Sequence, residues 1–389
     1  MRYVMRKIVS LLVSGALLSP AILVAAIVPS PPTIGADAYF LVDFDSGAVL
    51  VEHNADQPLP PASLTKLMTA YILAEEVDAG RMSLDDQVTV SRNAWSQNPI
   101  FRGSSLMWIE PGKEVTVREL EKGIVISSGN DASVAIAEHI AGNESAFAGM
   151  MNSYAQALGL TSTHYVNSHG LPNPEHITSA RDLATLARVT IHDHPERYAV
   201  YKQQSYTYND INQYNRNLLL REDSTVDGLK TGYTSVAGYG IVASAKRDGM
   251  RLISIVLGSE SIRTRKSETK ALLNYGFRFF ETIEPVSAEV ALNQARLWQG
   301  VTDKIDGGVL TSLIMTVPRG SSAPHVVTRI NEPLIAPIIR GDVIGTLEVI
   351  IDGKVVRETS LLALTDVREA GFFARLWDAF MLWLSQLLD

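Results

Sequence analysis

The spacing of apolar positions changes several times along the chain, and each change predicts a different element. β-Formers at Ala38-Tyr39-Phe40-Leu41-Val42 and Val49-Leu50-Val51 flank Asp43-Phe44-Asp45-Ser46-Gly47, which predicts a strand, a turn and a strand. After Pro60-Pro61-Ala62-Ser63 the pattern widens to helical spacing, with Leu67, Met68, Tyr71 and Ala74 on one stripe. Further helices are expected over Asp131 to Ile140 and Ser179 to Thr190. Apolar runs at Gly238 to Ser244 and Leu252 to Val256 predict strands, and a helix from about Thr264 to Phe280 closes the region. Strands first, helices in the middle and strands last imply an α+β domain over residues 36–280, with a sheet drawn from distant parts of the chain. From Glu281 the texture shifts to short alternating segments, such as Leu313 to Val317, Val326 to Ile330 and Val343 to Ile351. Asp352-Gly353 between the last of these and Lys354 suits the positive φ angles of a tight hairpin. Residues 281–366 therefore read as a small all-β domain.

The two ends carry different patterns. Arg2, Arg6 and Lys7 precede an apolar run from Ile8 to Val28, and Val24-Ala25-Ala26 has the small residues at which a signal peptide is cut. A signal peptide is expected over 1–26, with a second candidate cut just before Asp37. The alternative is a retained anchor, because the run approaches spanning length. Residues 367–389 hold an amphipathic helix, Phe372 to Leu388. Phe372, Phe373, Leu376, Phe380, Trp383, Leu384 and Leu387 share one broad face, opposite Arg375, Asp378, Ser385 and Asp389. It falls short of the roughly 20 apolar residues of a span. It is expected to lie in a membrane surface, with tryptophans at the headgroup boundary, although few basic residues mark its polar face. Packing on its own domain or on a partner is the competing expectation.

Composition narrows the function. The chain of 389 residues is 46% hydrophobic and 20% charged, as befits a globular protein of two domains. Its net charge of −8 argues against a nucleic-acid binder. Cysteine is absent, which removes disulfides, thiolate zinc sites and a cysteine nucleophile. His192 and His194 flank Asp193 and precede Pro195, and read as a solvated loop. No zinc-protease pattern is present, so neither a metal nor another cofactor is expected.

Three short motifs remain. In Ser63-Leu64-Thr65-Lys66, at a helix start, the serine and lysine share a face, so the amine can take the hydroxyl proton of an otherwise weak nucleophile. The helix N-terminus adds N–H groups for an oxyanion. The same spacing at Ser267-Glu268-Thr269-Lys270 falls in a charged helical stretch and reads as coincidence. In Ser128-Gly129-Asn130, a hydroxyl and an amide can pass protons and hold an amide-bearing substrate, or the segment can simply cap a helix. Ser91-Arg92-Asn93 and Ser96-Gln97-Asn98 match the same pattern. In Lys230-Thr231-Gly232, a lysine and hydroxyl on an edge strand can clamp a carboxylate, with Gly232 leaving room for substrate; the plain reading is a glycine-rich turn.

The order of the three motifs, Ser-x-x-Lys, Ser-x-Asn and Lys-Thr-Gly, is that of penicillin-binding proteins and related β-lactamases. Pro61 to Thr69, Ser127 to Ala132, Val226 to Gly232, Asn215-Arg216-Asn217 and Tyr275 to Phe280 resemble the low-molecular-mass penicillin-binding proteins, serine D-alanyl-D-alanine carboxypeptidases, across nearly the whole chain. The resemblance implies a β-lactamase/transpeptidase-like catalytic domain followed by a small all-β domain and the amphipathic helix. It implies that Ser63 is acylated by the penultimate D-alanine carbonyl, with Lys66 as general base and water later freeing the enzyme. Ser128, Asn130 and Lys230 would relay protons and orient the peptide, and Thr231 would bind the terminal carboxylate. Backbone N–H groups of Ser63 and Tyr233 would form the oxyanion hole. Some relatives carry histidine at the position of Tyr233. Arg265 matches a position expected to help hold the carboxylate, and Arg216 with Asp193 is expected to form a buried pair supporting the Lys230 strand; for both, a plain surface salt bridge is the alternative. The implied partners are peptidoglycan stem peptides and β-lactams as covalent inhibitors, on the periplasmic side of an inner membrane. The competing activities are a β-lactamase, for which Glu175 is followed by Ser179 where asparagine is needed, a D,D-endopeptidase, and a non-catalytic wall-binding scaffold.

Overall fold

The computed structural model describes residues 28–388, and the signal expected over 1–26 lies outside them. β1 (Ala38–Asp43) and β2 (Val49–His53) are antiparallel, and Asp43 closes their turn by accepting from the Ser46 N–H at 2.7 Å. A 3-10 turn over Ala62–Thr65 leads into α1 (Lys66–Asp78). The short pair β3 (Gln87–Thr89) and β4 (Glu114–Thr116) precedes α2 (Val117–Lys122), which passes through a π turn at Gly123–Ser127 into α3 (Asn130–Ala141). α4 (Glu144–Ala157), α5 (Ala180–Asp193) and α6 (Pro195–Tyr198) complete the helical layer. A hairpin of β5 (Ser205–Tyr208) and β6 (Ile211–Tyr214) and the short α7 (Leu219–Glu222) follow. The chain then returns to the sheet as β7 (Val226–Thr234), β8 (Gly238–Arg247) and β9 (Met250–Ser259), and α8 (Ile262–Phe279) covers the back.

The expected α+β sheet drawn from both ends of the region is present, in the order β2-β1-β9-β8-β7. Its period-two alternation divides two cores. Ile253, Ile255 and Leu257 of β9 face α1, α3, α4 and α5, whereas Leu252 and Val256 face Leu272 and Leu273 of α8. β7 is one of the two edge strands, so one row of its backbone groups is free to meet an extended chain.

The C-terminal part has its own core around Leu297, Ile305, Leu347, Val349 and Leu361. Its strands are β10 (Phe280–Val286), β11 (Asn293–Trp298), β12 (Lys304–Gly308), β13 (Leu313–Pro318), β14 (His325–Ile330), β15 (Leu334–Ile335), β16 (Val343–Ile351) and β17 (Lys354–Ala363). β10 pairs with β13, and the others form a sheet in the order β14-β16-β17-β12-β11-β15. The predicted Asp352-Gly353 turn joins β16 to β17 with φ of 51° and 73°. Thr282 and Thr316 bond to Asp43 and Ser46, and Arg319 Nε donates to the Phe277 carbonyl at 2.9 Å, tying this sheet to the first domain.

α9 (Phe372–Leu388) has the bounds expected from its periodicity. It rests on the β sheet by its polar side: Asp378 Oδ2 accepts from the Gln299 N–H at 2.8 Å, and Arg296 lies 3.6 Å from the same carboxylate. Phe373 (84% exposed), Trp377 and Phe380 point outward. Among the described residues no helix is long and apolar enough to cross a membrane.

Two expectations need correcting. His194 is not in a solvated loop: it is buried, its Nδ1 lies 2.6 Å from Asp78 and its Nε2 3.0 Å from Glu75, both on α1. Arg216 and Asp193 do not pair. Asp193 sits at 2.7 Å from His192, and Arg216 is exposed on the wall of a cleft. The β7 strand is held instead by Asp227, which takes both Nη atoms of Arg251 at 2.8 Å and the Tyr198 hydroxyl at 2.5 Å.

Candidate active site

The 3-10 turn before α1 places Ser63 half-buried above Lys66, the first residue of the helix. Lys66 is fully enclosed, and its Nζ reaches three oxygens: Ser63 Oγ at 3.1 Å, Asn130 Oδ1 at 2.6 Å and the His169 carbonyl at 2.6 Å. An ammonium has three protons for three acceptors. The neutral amine keeps two, for Asn130 and His169, and turns its lone pair to Ser63. Burial pulls the Lys66 pKa down to about 7, against the opposing pull of Asp131 and Glu144. A neutral amine therefore becomes accessible near physiological pH, as a general base needs.

The turn is gripped from two sides. Ala62 has φ 48°, and its carbonyl accepts from Thr65 Oγ1 at 2.8 Å. A Cβ on Gly170 (φ +88°) would lie 1.8 Å from that carbonyl oxygen, so only glycine lets the 168–171 segment approach the turn. On the other side, a Cβ on Gly232 would lie 3.0 Å from the Pro61 carbonyl oxygen and 3.2 Å from Ala62 Cβ. Gly232 lies on the cleft, and its missing side chain also lets β7 approach the Ala62–Thr65 turn closely.

Ser128 follows the π turn with left-handed φ 64° and ψ 36°. It does not cap α3, whose N-cap is Gly129; its Oγ instead accepts from Lys230 Nζ at 2.9 Å. Lys230 also donates to the Thr231 carbonyl at 3.0 Å, and burial, followed by the like charges of Lys66, Arg216 and Arg265, holds its pKa well below the usual lysine range. Asn130 spans the gap: its Oδ1 accepts from Lys66, and its Nδ2 donates to Ser104 Oγ at 2.8 Å. Thus Ser63, Ser128 and Asn130 line a cleft of about 690 Å³, with Thr231, Gly232 and Tyr233 on its β7 edge, and Lys66 and Lys230 are buried behind them, bonded to Ser63, Asn130 and Ser128. Tyr233 is exposed and stacks on Tyr239 at 4.2 Å between centroids. Arg265, buried in α8 behind that edge, donates to the Gly240 carbonyl at 3.2 Å, and burial lowers its pKa to about 10. Among the described residues no carboxylate pairs with it.

The look-alike motifs fall elsewhere. Ser91 Oγ accepts from backbone amides in its own turn, Asn98 caps Ile100, and Lys270 pairs with Glu222 on the surface. Glu175 faces solvent and Ser179 caps α5, so neither reaches Lys66. Four contributors escaped the sequence reading: Ser104, Asp131, Glu144 and His169. Glu144 Oε1 accepts from the Ser168 N–H and hydroxyl and lies 3.3 Å from His169 Nε2, fixing the loop whose carbonyl meets Lys66. Only the Gly103-Ser104-Ser105 cluster hinted at a polar loop; the others are set by tertiary contact.

The family described as D-alanyl-D-alanine carboxypeptidase matches residues 25–261, and that of the penicillin-binding protein 5 C-terminal domain matches residues 280–369. The D-alanyl-D-alanine carboxypeptidase DacC of Escherichia coli (strain K12) is 43% identical over 95% of this chain and 94% of its own. DacA of the same organism is 42% identical over 91% of this chain and 89% of its own. Penicillin-binding protein 5 from Haemophilus influenzae superposes with a TM-score of 0.83 at 39% identity, covering 88% of this chain and 100% of that one. Penicillin-binding protein 6B from Escherichia coli gives 0.74 at 38% identity, over 87% and 98%.

Proposed function

The chain belongs to the D-alanyl-D-alanine carboxypeptidase family of penicillin-binding proteins and is a serine-type carboxypeptidase, and from that premise we propose how its cleft performs the reaction. Ser63 Oγ attacks the penultimate D-alanine carbonyl as Lys66 takes its proton. The observation that carries this is the 3.1 Å contact between Ser63 Oγ and a buried amine whose pKa is near 7. The carbonyl oxygen becomes an oxyanion beside the N–H groups of Ser63 and Tyr233; one such donor is worth about 10²–10³ in rate. Collapse breaks the C–N bond, and the departing D-alanine nitrogen takes the Ser128 hydroxyl proton, which is replaced by the proton Lys66 took from Ser63, so that the Lys66 amine is neutral again while Lys230 Nζ steadies the Ser128 oxygen. Thr231 and Arg265 meet the terminal carboxylate, an arrangement supported by a buried guanidinium with no carboxylate of its own among the described residues. Water, activated by the same amine, then releases the acyl group. A β-lactam carbonyl entering the same geometry acylates Ser63 and leaves no departing amine to diffuse away.

The division into residues 36–280, 281–366 and 367–389 belongs to the same reading. Export is supported by the basic and apolar start of the chain, and Ala26 is the better cut of the two candidates. The stretch after it is docked: Pro29 accepts from the Tyr275 hydroxyl at 2.9 Å, and the Gly35 N–H donates to Glu268 at 2.7 Å. A cut before Asp37 would discard both contacts. The outward apolar face of α9 supports attachment to the outer surface of the inner membrane. Release of D-alanine from a pentapeptide tests the activity: the intact chain releases it, and Ser63→Ala and Lys66→Ala lose at least about 10³-fold. Unchanged release in either variant overturns the assigned roles, and preferential cutting of cross-linked dimers would make it an endopeptidase.

A further inference from the structure

Asp131 directly follows Asn130 in the first turn of α3, and it is fully buried. Its carboxylate does more than cap that turn. Oδ1 accepts from the N–H groups of Met107 (2.8 Å) and Ala132 (2.9 Å), and Oδ2 from those of Trp108 (2.8 Å) and Ile109 (3.2 Å). Three of these donors belong to the 102–109 segment, which forms one wall of the cleft. That segment also supplies the Ser104 hydroxyl to Asn130 Nδ2 and the Ser105 carbonyl to the Asn130 N–H at 2.9 Å. Trp108 is held there with φ 75° and an exposed ring facing the cleft, a backbone state that a side chain adopts only when its surroundings impose it.

We propose that Asp131 is a positioning residue for acylation: by gathering the amides of Met107, Trp108 and Ile109, it sets the cleft wall against Asn130 and thereby fixes Asn130 against Lys66. The proposal rests on the assignment of Ser63 and Lys66 made above. No partner residue substitutes for this carboxylate. An amide in its place turns an NH2 toward two of the four N–H groups, so the wall must move or two donors lose their acceptor. The charge matters as well as the shape. The groups that face Lys66 are Asp131 from α3, Glu144 from α4, Lys230 from β7, and His169 and His176 from the loop before α5. Tyr206 and Tyr208 of β5 also feel the Asp131 charge. Of these, the two carboxylates are the anions that favour the ammonium.

The experiment measures the second-order acylation rate with a fluorescent penicillin from pH 5.5 to 9, for the full chain and for Asp131→Asn, Asp131→Glu and Ser104→Ala. Asp131→Asn is expected to acylate about 10- to 100-fold more slowly, as misplacement on the ångström scale does. Its rising limb should also move to lower pH, because Lys66 loses a neighbouring anion. Asp131→Glu keeps the charge and shifts the oxygens, so its limb stays with the parent while its rate falls. Ser104→Ala leaves the carboxylate untouched and slows acylation about fivefold or more through the lost Asn130 contact. This holds even where Asp131→Asn fails to fold. Folded Asp131→Asn with the parent rate and limb, or Ser104→Ala with the parent rate, overturns the proposal. A parent chain that takes no adduct on Ser63 overturns both this proposal and the assignment beneath it.

Discussion

Substituting Gly170 by alanine perturbs the turn that carries the proposed nucleophile, Ser63, without touching a reacting atom. The new Cβ would lie 1.8 Å from the Ala62 carbonyl oxygen, 2.4 Å from its carbon and 2.8 Å from Thr65 Oγ1, whereas real Cβ contacts begin at 3.0 Å. The neighbours are backbone, so relief requires the turn and the 168–171 loop to separate by about 1.2 Å, the difference between 1.8 and 3.0 Å. That separation opens the Lys66 contact with the His169 carbonyl, now 2.6 Å, and tilts Ser63 relative to Lys66. An error of about 1 Å costs on the order of 10² in rate. Forcing alanine into a left-handed φ costs a further ~1–2 kcal/mol of stability. Gly159→Ala separates the two effects: its φ is +71°, but nothing lies within 4 Å of the added carbon. Stopped-flow acylation with a fluorescent penicillin, alongside thermal unfolding, is the assay. Gly170→Ala should acylate about 10²-fold more slowly, while Gly159→Ala loses only the ~1–2 kcal/mol of the backbone cost and acylates like the parent. A folded Gly170→Ala that acylates within twofold of the parent would refute the claim that this contact seats the nucleophile.

Three further outcomes follow from the same geometry. Because the reactive form of Lys66 is the neutral amine and burial lowers its pKa to about 7, acylation should climb as pH rises through about 7; a limb near the ordinary lysine value of 10.5 contradicts this. Glu121 is buried beside Arg197 at 3.6 Å, and burial raises its pKa from 4.5 to about 7. A folded pKa above the unfolded one gives stability that is present below pH 4.5 and lost as pH rises through about 7. Glu121→Gln should therefore gain on the order of 3 kcal/mol relative to the parent at pH 8 and next to nothing at pH 4.5, read by denaturant unfolding. Finally, replacing Phe373 and Trp377 together by serine should weaken co-sedimentation with neutral phospholipid vesicles at least about 10-fold, since each ring offers 150–250 Å² to the interface. Equal binding would remove α9 from the attachment.

Local chemistry made much of the fold legible. The β1–β2 turn carries Asp, Ser and Gly, the β16–β17 turn carries Asp-Gly, and α9 runs over the very residues its periodicity marked. Three motifs separated by scores of residues were readable as an ordered set, and their side chains now stand around one cleft. What escaped was decided by partners distant in sequence. His194 looked solvated because its neighbours are polar, yet Glu75 and Asp78 approach it from α1. Arg216 and Asp193 suggested a pair, but Asp193 ends α5 beside His192 and Asp227 holds the strand with Arg251. The second task of Gly232, admitting the Ala62–Thr65 turn, was invisible because Ala62 is 170 positions earlier. Asp131 entered the sequence analysis only as a helix start, and nothing near it in sequence announces the three amides of the 107–109 segment.

The central claim is that Ser63, activated by Lys66, is the residue that takes the acyl group. Incubating the full-length chain with a penicillin and following intact mass and peptide maps over time tests it directly. A single adduct should form, map to Ser63, persist for longer than the assay, and be absent from Ser63→Ala. An adduct on any other residue, or one that still forms in Ser63→Ala, would contradict the account.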